Sequence, residues 1–254
     1  MKPALGYNSV SPINDWASIP LGEQVREAEQ AIISEQLKYC FGQYLLKIGQ
    51  LSNVLESHES TIPTQVNLTT LNNKTPLTGV VAEFDELPFL ENSIDAIVMN
   101  HVLEFGSDPH QILREAHRVL LPNGNLILAV FNPWSSLALQ KLVPSQKFQL
   151  FKKGRFFSVA RVKDWLHLLG FEVTKEDYLC YSVLAQNDQE LDSSFVPSLL
   201  KRFCPSLGGV CILVAKKREW PLTPVRPRVR YRTMFNPAVR SSSLNRTTRR
   251  ATKQ

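Results

Sequence analysis

The chain has 254 residues, of which 43% are hydrophobic, with a formal net charge of +6. That length makes one α/β domain with extensions the default, and the apolar fraction is that of an ordinary globular protein. No run approaches the roughly 18 consecutive apolar residues of a membrane span. The charge is unevenly spread. Trp220 to Gln254 holds nine Arg or Lys residues and no acid, so residues 1–219 sum to −3. The N-terminal MKPALGYNSVSPINDW has no apolar signal core, which points away from export and toward a cytoplasmic location. Cys40, Cys180, Cys204 and Cys211 form no C-x-x-C pair. They read as reduced packing residues, and no metal site is expected.

Taken in order, residues 1–19 are irregular, and Pro20 to Tyr39 carries Val25, Ala28, Ile32, Ile33 and Leu37 at the spacing of a surface helix. Tyr44 to Ile48 is the first strand, closed by Gly49. Gln65 to Leu68 is the second. The connection TLNNKTPLTG has about ten residues, the lower limit for a parallel crossover, so its helix is reduced or missing. Val80 to Phe84 is a short apolar run ending in Glu83 and Asp85, and Leu87-Pro88-Phe89 is a rigid turn. Ile94 to Met99 is a buried run with one early acid, Asp95. Asp108 caps a helix with Pro109 at its first position, and Ile112, Leu113, Ala116, Val119 and Leu120 recur at helical spacing. Pro122-Asn123-Gly124 ends it, and Leu126 to Phe131 is the next buried strand. Continuous apolar strands alternating with an amphipathic helix predict a parallel sheet covered on both faces.

Phe131-Asn132-Pro133-Trp134 closes that strand. An apolar helix over Leu137 to Val143 follows, then Lys147, Lys152, Lys153 and Arg155 interleaved with phenylalanines. This insertion could line a substrate pocket or contact phosphates, or simply pack on the sheet edge. Ser158 caps a helix that ends at Gly170, with Trp165, Leu166, Leu168 and Leu169 inward. Phe171-Glu172-Val173 begins the sixth strand, and Val210 to Ala215 reads as an antiparallel last strand. Beyond Lys217 the arginines are broken by Pro221, Pro224, Pro227 and Pro237 with few large apolar residues, so a disordered tail is expected. The organisation is therefore 1–40 irregular segment and covering helix, 41–218 folded domain, and 219–254 basic tail. Arg226–Lys253 could attach electrostatically to nucleic acid or another anionic surface, or serve only for solubility.

Between Gly79 and Pro133 these residues resemble the type-11 group of class I S-adenosylmethionine-dependent methyltransferases. The resemblance rests on Leu87-Pro88-Phe89, Ser93-Ile94-Asp95, His101-Val102-Leu103, Asp108-Pro109, Arg114-Glu115-Ala116-His117-Arg118-Val119-Leu120 and Pro122-Asn123-Gly124. The whole chain is also similar to a small bacterial group of uncharacterised methyltransferase-like proteins. The resemblance implies a Rossmann-like α/β fold: a seven-stranded, mostly parallel sheet with an antiparallel last strand and helices on both faces. It implies S-adenosylmethionine as methyl donor and leaves the methyl acceptor unidentified.

By the same resemblance, Gly49, Asn67, Glu83, Phe84, Asn100 and His101 bind the cofactor. The family has an acid, then Gly-x-Gly-x-Gly, where this chain has Lys47-Ile48-Gly49-Gln50-Leu51-Ser52-Asn53. Glycines there let the backbone turn and approach the ligand, so only Gly49 survives and Lys47 reverses the acid's charge. Asn67 stands for the acid that receives the ribose hydroxyls and could keep one such bond, or merely start a turn. Glu83 stands for the acid at the adenine amine, or is a solvated turn residue. His101 is a candidate base because imidazole titrates near neutrality, with a structural or cofactor-lining role as the other reading. No catalytic triad or metal cluster is expected, because the sulfonium is itself the electrophile and the protein chiefly binds, orients and excludes water. Lys47, Leu51 and Asn53 keep a second possibility open: a non-catalytic binding or scaffold protein on the same fold.

Overall fold

The computed structural model describes residues 12–70, 79–135, 149–179 and 208–219. The expected helix over Leu137–Val143, the crossover at 71–78 and the basic tail lie outside them. Seven strands form one sheet: β1 (Tyr44–Ile48), β2 (Thr64–Thr69), β3 (Val80–Val81), β4 (Ile94–Asn100), β5 (Leu120–Phe131), β6 (Phe171–Leu179) and β7 (Val210–Lys217). Their order is β3-β2-β1-β4-β5-β7-β6. Pairing is parallel from β3 through β5, and β7 runs antiparallel to both β5 and β6. The expected architecture is the observed one.

Because strand side chains alternate, each buried strand feeds two cores. Leu46, Ile48, Leu68, Ile97, Met99 and Leu128 face α4 (Pro109–Val119) and the helix Val159–Leu168. Leu45, Val98, Ala129 and Ile212 face α1 (Gly22–Leu37) and the one-turn helix Gln149–Lys153. Two short helices, α2 (Gln50–Val54) and α3 (Val102–Phe105), start directly after β1 and β4. Numbered in chain order, Gln149–Lys153 is α5 and Val159–Leu168 is α6.

The sequence signature around Leu87-Pro88-Phe89 is a mechanical clasp. Arg118, on α4, donates from its guanidinium to the carbonyls of Leu87 and Phe89, each at 2.9 Å. Glu115 accepts from the Leu87 N–H at 3.1 Å and pairs with Arg118 at 2.7 Å. The Arg118 hydrogen bond holds the Glu115 carboxyl below its ordinary range, against the opposing effect of burial. Asp108 accepts from the His110 and Gln111 amides, as an N-cap before Pro109 should. Replacing Arg118 by Ala removes three carbonyl or carboxylate partners at once. We expect it to cost roughly 2 kcal/mol, read as a lower urea midpoint with unchanged slope.

The bounds of β3 and β5 and the buried face of α6 differ from expectation. β3 is only Val80–Val81, because Phe84 and Leu87 turn inward onto the sheet instead of extending along it. β5 starts early, at Leu120 opposite Ile94, and bulges at Pro122-Asn123-Gly124, where Asn123 takes φ 65, before regaining register at Asn125. Leu168 is 84% exposed: the buried stripe of α6 is Val159, Val162 and Leu166, and Leu168 lies about 200° around the helix from Leu166.

Candidate functional site

The order of the sheet locates the site. The chain leaves β1 for β2 and β3 on one side, then returns to place β4 on the other. The carboxyl ends of β1 and β4 therefore flank the crevice where an open α/β sheet binds ligands. Ile48 pairs with Met99, so Gly49 and Asn100 follow side by side at this edge.

Gly49 has φ +90, a conformation that favours glycine. A Cβ there would lie 3.0 Å from Val102 Cγ2 and 3.9 Å from Phe84 Cζ. Leu51 and Asn53 do not need the freedom of the missing glycines. The chain becomes helical immediately after Gly49, neither residue has positive φ, and Leu51 is buried in the core. Ser52 ties the two strand ends together: its hydroxyl donates to Ile48 O at 2.7 Å and accepts from the Asn100 N–H at 2.8 Å. Lys47 is buried on the α1 side of the sheet. Its ammonium donates to Leu55 O, just past α2, at 2.8 Å, and burial lowers its pKa.

Of the residues expected to hold a cofactor, the structure brings together Gly49, Phe84 and Asn100 at this edge, with Glu83 exposed at the end of the β3 segment. One expectation is corrected, and of the two readings given to His101 the structural one fits its surroundings. Asn67 does not stand at the carboxyl edge. β2 continues to Thr69, and Asn67 lies opposite Lys47, two residues below the level of Gly49. Thr70, buried and next after the strand, holds the edge position instead. His101 is not a free base either. It is 1% exposed and stacks on Phe131 at 3.6 Å, with Trp16 edge-on at 6.0 Å. Its Nε2 meets Glu29 Oε1 at 2.7 Å and its Nδ1 meets Glu104 Oε1 at 3.4 Å. Both ring nitrogens are therefore engaged, and none is left to take a proton from an acceptor. Burial works against the imidazolium, but the Glu29 and Glu104 carboxylates prevail and raise its pKa from 6.5 to about 9.

Glu29 is the buried acid beside this edge that sequence reasoning missed. It is 0% exposed on α1, where it accepts from His101 and, at 2.5 Å, from Asn100 Nδ2. The signal was present: Glu29 falls midway between Val25 and Ile33, four residues from each, in the buried stripe of the helix. Glu104 accepts the Phe131 N–H at 2.6 Å.

The buried polar atoms that lack a hydrogen-bond partner test whether a ligand fits here. Among the described residues they are Trp16 Nε1, Asn53 Oδ1, Asn67 Oδ1, Thr70 Oγ1, Asn100 Oδ1, Glu104 Oε2 and Asp177 Oδ2. Four of these residues, Asn53, Thr70, Asn100 and Glu104, lie at or just after the carboxyl ends of β1, β2 and β4, whereas Asn67 lies lower in β2. Buried polar groups are ordinarily satisfied, so these four oxygens are unmet hydrogen-bonding capacity at the edge where an open α/β sheet takes its ligand. With a glycine at the point of close approach, the residues fit an adenosyl amino-acid ligand. Among the described residues no His, Cys, Asp and Glu cluster could hold a metal.

The family model described as "Methyltransferase domain" matches residues 48–128. The uncharacterised protein YafS of Escherichia coli (strain K12) is 34% identical over 223 residues, 88% of each chain. The chain belongs to the class I S-adenosylmethionine-dependent methyltransferases. A 54-residue stretch is 41% identical to malonyl-[acyl-carrier protein] O-methyltransferase 1 of Coxiella burnetii, covering 21% of this chain and 19% of that one. Among solved structures, a Thermotoga maritima SAM-dependent methyltransferase, possible histamine N-methyltransferase, superposes with TM-score 0.53 at 17% identity, over 77% of this chain and 92% of that one. This last likeness concerns the fold alone. The methyltransferase's donor is S-adenosylmethionine, and none of its described helices is long and apolar enough to cross a membrane.

Proposed function

We propose that the protein binds S-adenosylmethionine at the carboxyl edge of β1, β2 and β4 and passes its methyl group to an acceptor admitted at the same edge. The observation that carries this reading is the gathering there of Asn53, Thr70, Asn100 and Glu104 with buried, unpartnered oxygens. When bound, the cofactor supplies a methyl group already activated on a sulfonium. The chain's own residues bind, orient and exclude water. Gly49 allows the backbone close approach. Thr70 offers a hydroxyl at the end of β2, where a ribose edge would need one. Glu83, exposed after β3, offers a carboxylate for an exocyclic amine, beside the Phe84 ring.

The non-catalytic reading draws its support from Lys47, which stands where the family carries an acid. Its ammonium, however, is engaged by Leu55 O beneath the loop. We also infer, from charge alone, that Arg226–Lys253 adds salt-sensitive attachment to a polyanion. The cofactor reading is tested by calorimetric titration with S-adenosylmethionine and S-adenosylhomocysteine, after native mass spectrometry for ligand already bound. We expect saturable one-to-one binding. In Gly49→Val, whose branched Cβ enters the approach, we expect affinity to fall about tenfold or more, which is at least ~1.4 kcal/mol. A folded wild-type protein that gives neither heat nor co-purified ligand would overturn the reading.

A further inference from the structure

The buried cluster at the end of β4 is out of charge balance. Two carboxylates, Glu29 and Glu104, face one imidazolium, His101. All three side chains are 0% exposed, so water does not compensate the surplus negative charge. Lys47 is engaged with Leu55 O and makes no ion pair with a described carboxylate. The hydrogen bonds are also lopsided. A carboxylate only accepts, so Asn100 must turn its amide nitrogen to Glu29, and its Oδ1 is directed away. That oxygen is buried and unpartnered, as is Glu104 Oε2. Two oriented acceptors and an unneutralised negative charge call for a ligand group that is cationic and donates N–H bonds.

We propose that Glu29, from the covering helix, supplies the negative charge that β1 lacks at Lys47, and so makes the end of β4 a recognition site for the cofactor's ammonium group. Asn100 Oδ1, beside Gly49, is the accepting atom. Glu29 is a positioning residue: it fixes the Asn100 amide and adds its charge through a low-dielectric interior, where charges act strongly. Helix α1 is then part of the cofactor site and not only its cover. This inference rests on the cofactor reading above.

The test compares three ligands by calorimetry: S-adenosylhomocysteine, its deamino analogue, and 5′-methylthioadenosine, which lacks the amino-acid end. For the wild-type protein we expect the ammonium to be worth roughly tenfold to a hundredfold in affinity between the first two, the range of a charged hydrogen bond. In Glu29→Gln that gap should shrink below about threefold, less than ~0.7 kcal/mol, while 5′-methylthioadenosine binds as before. A wild-type protein that binds the first two ligands alike overturns the proposal, and this arm needs no variant to fold. A full gap retained in folded Glu29→Gln overturns it as well. A wild-type protein that binds 5′-methylthioadenosine but shows no ammonium preference leaves the cofactor reading standing without this one. Binding of none of the three overturns both.

Discussion

Glu29→Ala should lower stability by roughly 3–5 kcal/mol, the usual consequence of breaking a buried ion pair by removing one partner. The variant leaves the His101 imidazolium with only Glu104, at 3.4 Å, and strips the Asn100 amide of its acceptor. In a chain of this size, that corresponds to a melting temperature lower by roughly 10 °C. The loss should depend on pH in one direction. The folded protein holds the His101 proton more tightly than the unfolded chain, with a pKa of about 9 against 6.5. The stabilisation is therefore complete below about pH 6.5 and is withdrawn as pH rises through about 9. The difference in melting temperature between wild type and Glu29→Ala should be largest near pH 6 and should narrow by pH 9.5. A difference that stays constant or widens over that range would show that Glu29 acts by packing and not through the His101 charge.

Gly22→Ala is the second large effect, and it acts on backbone. A Cβ at Gly22 would sit 1.8 Å from the Trp16 carbonyl oxygen and 2.6 Å from its carbonyl carbon. No flexible side chain can yield there, so the turn Trp16–Ser18 must separate from the start of α1. We expect a cost of about 3 kcal/mol, the upper end for overpacking. Trp16 is 2% exposed and rests edge-on against His101, so its release should move the intrinsic fluorescence to longer wavelength. Unchanged emission together with an unchanged melting temperature would mean that the segment ahead of α1 does not depend on this close approach.

The sheet was legible because its strands are buried on both faces and read as apolar runs. The Asp108-Pro109 helix was legible because cap, proline and apolar stripe agree. The clasp between Arg118 and Leu87-Pro88-Phe89 gives that part of the family resemblance a structural reason: those residues hold the turn in place. The site was only partly legible. Gly49 and Asn100 follow from strand ends, which apolar runs mark. Asn67 was misplaced because the β-branched Thr69 extends β2, so the edge passes to Thr70. Glu29 was hidden because sequence spacing shows which residues face inward, but not that 71 residues later an amide will meet that carboxylate. His101 was found for its chemistry, yet its charge depends on Glu29 from α1 and Glu104 from α3.

Lys47 has a consequence for how such a chain can change. Replacing it with the acid usual in the family would remove the bond to Leu55 O and bury one more negative charge in a domain that already carries a surplus beside β4. Removing Glu29 first would strand His101. Each single substitution is therefore expected to lower stability, and combining the two does not restore the acceptor that His101 and Asn100 lose with Glu29. Through the charges they bury on the same side of the sheet, positions 47 and 29 are expected to limit each other's substitutions.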